Sequence, residues 1–142
     1  SYSNNPSNGS IYGRLYTWGA INDSRNIAPE GWHVARDDEW TSLVNFLGGL
    51  NVAGGKLKES GTNHWNSPNT GATNESGFTA LPGGFRRYDG LFFYNRDYGM
   101  WWSSTGLSIY AWAYTMYNNN ATTFRGDDSI RHGFSVRCVR DY

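Results

Sequence analysis

The chain is poor in the residues that covalent and metal chemistry usually need. It has one cysteine, Cys138, so no disulfide can form within it. A reactive thiol needs a neighbouring base, and no residue pattern supplies one. Cys138 falls on an inward-looking position of an alternating segment, so a buried, inert thiol is expected. The three histidines, His33, His64 and His132, are scattered without ligand spacing. His33 is expected to be a bonded structural residue and His64 to order its loop. His132 belongs either to a binding surface or to plain solvent. Neither sign of charge is in excess: twelve basic and twelve acidic residues cancel. That removes the electrostatic pull toward nucleic acid or an anionic membrane. No apolar run approaches the length of a membrane-spanning helix, so direct insertion is not expected.

Aromatic residues and glycine are plentiful. Seven Trp, ten Tyr, seven Phe and 18 Gly in 142 residues suggest one small, loop-rich domain whose core is built from few large side chains. Some tyrosines are then expected outside, as contact residues of the kind paratopes use.

The polar opening, residues 1–10, is expected to be a mobile lead or linker, with the domain proper spanning 11–142. Ile11 to Ile21 is expected to form a first strand, and Glu30 to Ala35 a short strand before a helix. Asp37 and Asp38 mark the helix start, Trp40, Leu43, Val44 and Leu47 recur at helical spacing, and Gly48-Gly49 ends it. The acidic start suits the helix dipole better than a cation site. A weaker helix is expected from Val52 to Glu59, since Gly54 and Gly55 lower its propensity. Ser60 to Gly77 reads as a long loop held by its own contacts, with Trp65 seeking burial. From Phe78 onward the pattern is β, with a hairpin turn at Asp89-Gly90.

The last third reads as a frame around a patch. Tyr98–Thr105 and Gly133–Asp141 form the frame. Adjacent Trp101 and Trp102 must point to opposite faces of a strand, so at least one is core. Phe134, Val136 and Cys138 are expected to face one way along a last strand. In Tyr110–Tyr117, Trp112, Tyr114 and Met116 make the better core face, leaving Ala113, Thr115 and Tyr117 on the other. The enclosed segments Gly106–Tyr110 and Arg125–His132 have no apolar period. Arg86-Arg87 is read as a polar strand end.

Several ordered motifs carry a resemblance. Pro29-Glu30-Gly31-Trp32-His33-Val34, Asp38-Glu39-Trp40, Ala53-Gly54-Gly55-Lys56-Leu57-Lys58-Glu59, Trp65-Asn66-Ser67-Pro68-Asn69, Leu81-Pro82-Gly83-Gly84, Trp101-Trp102-Ser103-Ser104 and Gly133–Asp141 together resemble the Fibrobacter succinogenes major paralogous domain, over about Tyr12 to Asp141. The resemblance implies an α+β, C-type-lectin-like fold of two helices, a twisted antiparallel sheet and long loops. It implies a location outside or on the bacterial cell, in adhesin-like modules, some of them diversified by retroelements that rewrite adenine-containing codons. Randomising the first two bases of a pyrimidine-ending Asn codon cannot give Lys, Glu, Gln, Met or Trp, and none of these occurs in segments 106–110 or 125–132. The family's usual cysteine before the Pro-Glu-Gly-Trp-His motif would pair with Cys138, but Ala28 stands there. Ala35-Arg36 replaces a common Pro-Ser pair, which is expected to move the helix cap to Asp37.

The function expected from both readings is ligand binding without catalysis and without a cofactor. The ligand would be a protein or glycan on another cell, a phage or a host. Tyr94, Tyr110 and Tyr117 would give stiff contact area. Arg96, Asp97, Arg125, Asp127, Asp128 and Arg131 would set charge specificity. Leu107, Ile109 and Ile130 would be apolar anchors, with Ser108, Ala113, Thr115 and His132 completing the face. Asp127-Asp128 offers a calcium ion fewer oxygens than it needs. A structural role in a pilus or surface assembly is the alternative. The related formylglycine-generating chemistry uses paired cysteines and copper, and this chain has one cysteine.

Overall fold

The computed structural model describes all residues, 1–142. After a 3-10 turn (Tyr2–Asn4) come α1 (Pro6–Tyr12), β1 (Tyr16–Thr17), α2 (Trp18–Ile21), β2 (Trp32–Val34), α3 (Asp37–Phe46) and α4 (Leu50–Leu57). Only strands follow: β3 (Phe85–Arg86), β4 (Phe92–Phe93), β5 (Tyr98–Leu107), β6 (Tyr110–Tyr117), β7 (Thr123–Ser129), β8 (Gly133–Phe134) and β9 (Cys138–Arg140). They pair as three antiparallel sheets, β1-β8-β3-β4, β2-β9 and β5-β6-β7. The architecture is α+β. No helix is long and apolar enough to cross a membrane.

Residues 1–10 are helical, where a mobile lead was expected. Pro6 occupies the first turn of α1, and the Asn5 side chain accepts the Ser7 N–H at 2.9 Å. The Tyr2 ring meets Phe92 edge-on at 5.3 Å, which fastens this segment to β4. The expected first strand shrinks to Tyr16–Thr17, because Trp18–Ile21 coils into α2.

Helix α3 follows its apolar spacing, with Trp40 and Val44 buried. Its cap is Arg36, one residue before the expected Asp37. Glu39 reaches back to accept the Arg36 N–H at 2.8 Å, the return half of a capping box. The Asp37 N–H is satisfied from afar, by the Thr105 hydroxyl of β5 at 3.1 Å. In α4 the two glycines serve close approach. A Cβ at Gly54 would lie 2.5 Å from the Thr122 carbonyl oxygen, so the chain after β6 can rest on the helix only if that side chain is absent.

Strand β5 divides the interior. Trp101 joins the larger core, with Trp40, Val44, Leu57, Trp65, Tyr114 and Met116. Trp102 joins the smaller, with Ile21, Val34, Ala111, Ala113 and Phe134. Both rings are buried, at 3% and 0% exposure, so the alternation that requires one core tryptophan here yields two. The pairing of β5 with β6 slips between Trp102 and Gly106. The bulged residues turn toward α3 and β2, where Ser104 donates its N–H to Ala35 and its hydroxyl to Val34.

The long loop is held, as expected. Trp65 is fully buried and its indole N–H donates to the Ala80 carbonyl at 2.9 Å. The main fastening comes from Lys58, which is also fully buried and has no carboxylate partner. Its Nζ donates to the carbonyls of Thr70, Tyr117 and Asn120 at 3.0, 2.9 and 2.9 Å, joining the loop, the end of β6 and the turn beyond. Burial pulls its pKa down to about 8.

The C-terminal segment differs from the single alternating strand expected. β8 and β9 lie in different sheets, and Ser135 between them pairs with β5. Cys138 is half-buried beside the smaller core, where burial raises its pKa. His33 is bonded on both ring nitrogens, to Asp141 at 2.6 Å and Glu39 at 2.7 Å, and so ties β2 to α3 and the C-terminus. His64 bonds Glu59 at 2.9 Å.

Lys58→Met keeps the apolar stem but leaves three buried carbonyls without a donor. We expect a loss of about 3 kcal/mol or more, read from the urea midpoint at unchanged slope. For His33, hydrogen bonds from Asp141 and then Glu39 raise the pKa above the ordinary 6.5. Its stabilisation is therefore complete below pH 6.5 and is lost as pH rises through the higher folded value. Chemical denaturation across that window should show the decline, and His33→Gln should flatten it.

Candidate functional site

In an antiparallel sheet, directly paired residues share a face. The register therefore places Tyr98 with Tyr117; Met100 with Thr115 and Phe124; Trp102 with Ala113 and Gly126; and Ala111 with Asp128. This is the outer face of β5-β6-β7. Part of it is covered: Phe134 stacks on Trp102 at 4.2 Å, and Phe85 and Ile130 pack against the same cluster. The rest is open. Along it runs a ribbon of rings, Tyr94 on Tyr98 at 4.2 Å, Tyr98 on Tyr117 at 4.4 Å, and Tyr117 on Phe124 at 4.9 Å. Between ribbon and covered part lies a depression of about 180 Å³ with Met100, Ala113 and Thr115 in its floor and the 124–128 strand along one side.

At one end of this sheet the pairing of Leu107 with Tyr110 leaves Ser108-Ile109 as the hairpin tip, with Ser108 at φ 66°. Leu107, Ile109 and Tyr110 are 40%, 63% and 45% exposed, and neither core claims them. Apolar side chains at a tip contribute little to folding, so their exposure needs another reason.

The expected contact residues divide into three groups. Tyr117 and Asp128 line the depression, Tyr94 ends the ribbon of rings, and Leu107, Ser108, Ile109 and Tyr110 form the tip. Ala113 and Thr115 share the face but are 4% and 8% exposed, so they are floor, not contacts. The alternation identifies their face correctly, yet it cannot say how deeply neighbours cover it.

The third group belongs to the scaffold or lies elsewhere. Arg96 and Asp97 grip the long loop: Arg96 donates to Asn66 and to the Asn63 carbonyl at 3.1 Å each, and Asp97 accepts from Asn66 at 2.8 Å. Ile130 packs against the smaller core. His132 is half-buried, its ring stacked on Phe85 at 5.7 Å, with Asp128 at 3.6 Å. Arg131 is exposed and lies over Tyr88 at 5.3 Å.

Arg125 and Asp127 occupy the opposite face of β7, beside Tyr114 and Trp112 of β6. The Arg125 guanidinium sits 3.6 Å from the centre of the Trp112 ring and pairs with Asp37 at 2.6 Å. Burial alone would raise the Asp37 pKa, but Arg125 and the Tyr114 hydroxyl override it and hold the carboxyl below its usual range. The same burial pushes Tyr114 up to about 12. Asp127 and Asp128 point to opposite faces and do not converge on one cation. No group of three or more His, Cys, Asp or Glu side chains is arranged to hold a metal ion.

Sequence reasoning missed Tyr98, Met100 and Phe124 as part of this face. The signal was available for Phe124: once β7 pairs with β6, alternation puts it beside Tyr117.

A family model, the Fibrobacter succinogenes major domain, matches residues 1–140, and the chain belongs to that family. No curated protein matches it. No solved structure matches it either.

Ile109→Ala and Arg131→Ala should leave the unfolding free energy within about 0.5 kcal/mol of the parent, as for surface positions. Ile130→Ala, one residue from Arg131, should cost about 1–2 kcal/mol, because it opens space beside the smaller core. Denaturant melts of the three variants check this division between contact surface and scaffold.

Proposed function

We propose that this domain is a non-enzymatic ligand-binding module with a C-type-lectin-like fold, displayed outside or on the bacterial cell. Its outer sheet face and hairpin tip take a protein or glycan carried by another cell, a phage or a host. The observation that carries this reading is the open ribbon Tyr94, Tyr98, Tyr117 and Phe124 next to an apolar tip that no core uses. Rings held against one another have little rotamer freedom left to lose on binding, and their faces suit both apolar protein surface and the C–H face of a sugar. The depression is small, about 180 Å³, which fits an extended partner better than an enclosed small substrate.

Family membership and the side-chain set of segments 106–110 and 125–132 support diversification by a retroelement. Within those segments the side chains differ in freedom to vary. Leu107, Ser108, Ile109, Tyr110, Asp127 and Arg131 are exposed, whereas Arg125 and Ile130 are engaged by Asp37 and by the smaller core. Diversification would therefore alter the first six without touching the fold. The coding DNA tests this reading: a nearby near-repeat should differ from it only at adenines.

The binding reading is tested by screening the domain against a glycan array and a panel of bacterial and host cells. Each hit is then repeated with Ile109→Ala and Tyr117→Ala. Affinity should fall at least about tenfold in each variant, as for central contact residues, while the melting temperature of Ile109→Ala stays put. Hits that both variants retain at full strength would remove this face from consideration.

A further inference from the structure

A second cavity, of about 670 Å³, lies at the end of α1 and shares no residue with the outer groove. Trp101, on the face of β5 opposite Trp102, gives it an apolar wall. Its polar lining contains two arginines, Arg14 and Arg137, and no carboxylate. The arginines that form ion pairs in this protein are Arg25, Arg36, Arg87 and Arg125, so neither cavity arginine is neutralised.

Arg137 is partly committed. Its Nη2 donates to the Phe78 and Thr79 carbonyls at 3.1 and 3.3 Å, which leaves Nε and Nη1 without partners. Desolvation lowers its pKa, and no opposing charge offsets it, although part of the side chain stays exposed. Ser135 adds a second unspent group. It is only 7% exposed, it lines the cavity, and its hydroxyl bonds no protein atom. The phenols of Tyr12 and Tyr16 line the same space and are equally unbonded.

Two guanidiniums, one hydroxyl and two phenols, each with a donor that no protein acceptor takes, thus face one cavity, with no carboxylate among them. An anion would satisfy them together, and guanidinium groups match carboxylate and phosphate oxygens in geometry as well as charge. We propose that this cavity binds a small organic anion, a carboxylate or phosphate ester with an apolar body, held by Arg14 and Arg137 with its body against Trp101. The inference is independent of the outer face and stands or falls separately.

The test titrates the isotope-labelled domain with phenylacetate, phenyl phosphate and benzyl alcohol, following the Trp101 indole N–H resonance. At least one anion should give a saturable shift, and benzyl alcohol should bind at least about tenfold more weakly, the loss expected for charge-assisted hydrogen bonds. Which anion binds more tightly distinguishes carboxylate from phosphate. Arg14→Gln, at an exposed position that bonds nothing, should weaken binding about tenfold with an otherwise unchanged spectrum. Arg137→Gln is the second variant, its spectrum reporting whether the 78–79 loop stays in place. No saturable shift from either anion, equal binding of the alcohol, or parental affinity in both variants would overturn the proposal.

Discussion

The structure depends on the alternation of one strand at two adjacent residues. Trp101 and Trp102 cannot lie on the same side of β5, and both are too large to leave in water, so β5 must have a core on each side. The remaining elements supply those cores. Helices α3 and α4 and the long loop close over Trp101. Ile21, Val34, Phe134 and the β3-β4 hairpin close over Trp102. The three-stranded sheet is thereby fixed from both sides near its middle, while the hairpin tip at Ser108-Ile109 belongs to neither core. A rigid, partly uncovered sheet follows from the placement of two side chains.

Charge completes what apolar packing cannot reach. A loop as long as residues 60–77 has many backbone groups to satisfy, and the chain uses a single ammonium for several of them. Lys58 acts as a donor with three acceptors, not as half of an ion pair. Arg96 grips the same loop from the other side. The disulfide that resemblance to the family would lead one to expect is absent, since Ala28 stands in its place. Its work falls to such hydrogen bonds and to His33, which joins β2, α3 and the C-terminus.

Much of this was legible in the sequence wherever the signal was local. The spacing of Trp40, Leu43, Val44 and Leu47 gave α3, Asp89-Gly90 gave the β3-β4 hairpin, and the indole of Trp65 announced an ordered loop. The Trp101-Trp102 pair already implied opposite faces. What stayed hidden depends on partners far along the chain. Nothing near Arg125 indicates that Asp37 will claim it. Nothing near Ala113 shows that the second core will rise to cover it. Residues 1–10 look like a linker until Phe92 provides a surface for Tyr2. The structure accordingly divides the candidate residues between two sheet faces and several depths: period-two patterning assigns sides, and only tertiary packing assigns depth.

The central claim is that residues 94–132 contain a load of structural positions interleaved with positions free to serve a ligand. A saturation substitution scan of this stretch, scored by protease resistance of the displayed domain, measures that division directly. Tolerance should be broad at Leu107, Ser108, Ile109, Tyr110, Asp127 and Arg131, and narrow at Trp101, Trp102, Ala111, Ala113, Tyr114, Met116 and Ile130. Intolerance at the hairpin tip, or equal tolerance at the two tryptophans, would contradict it.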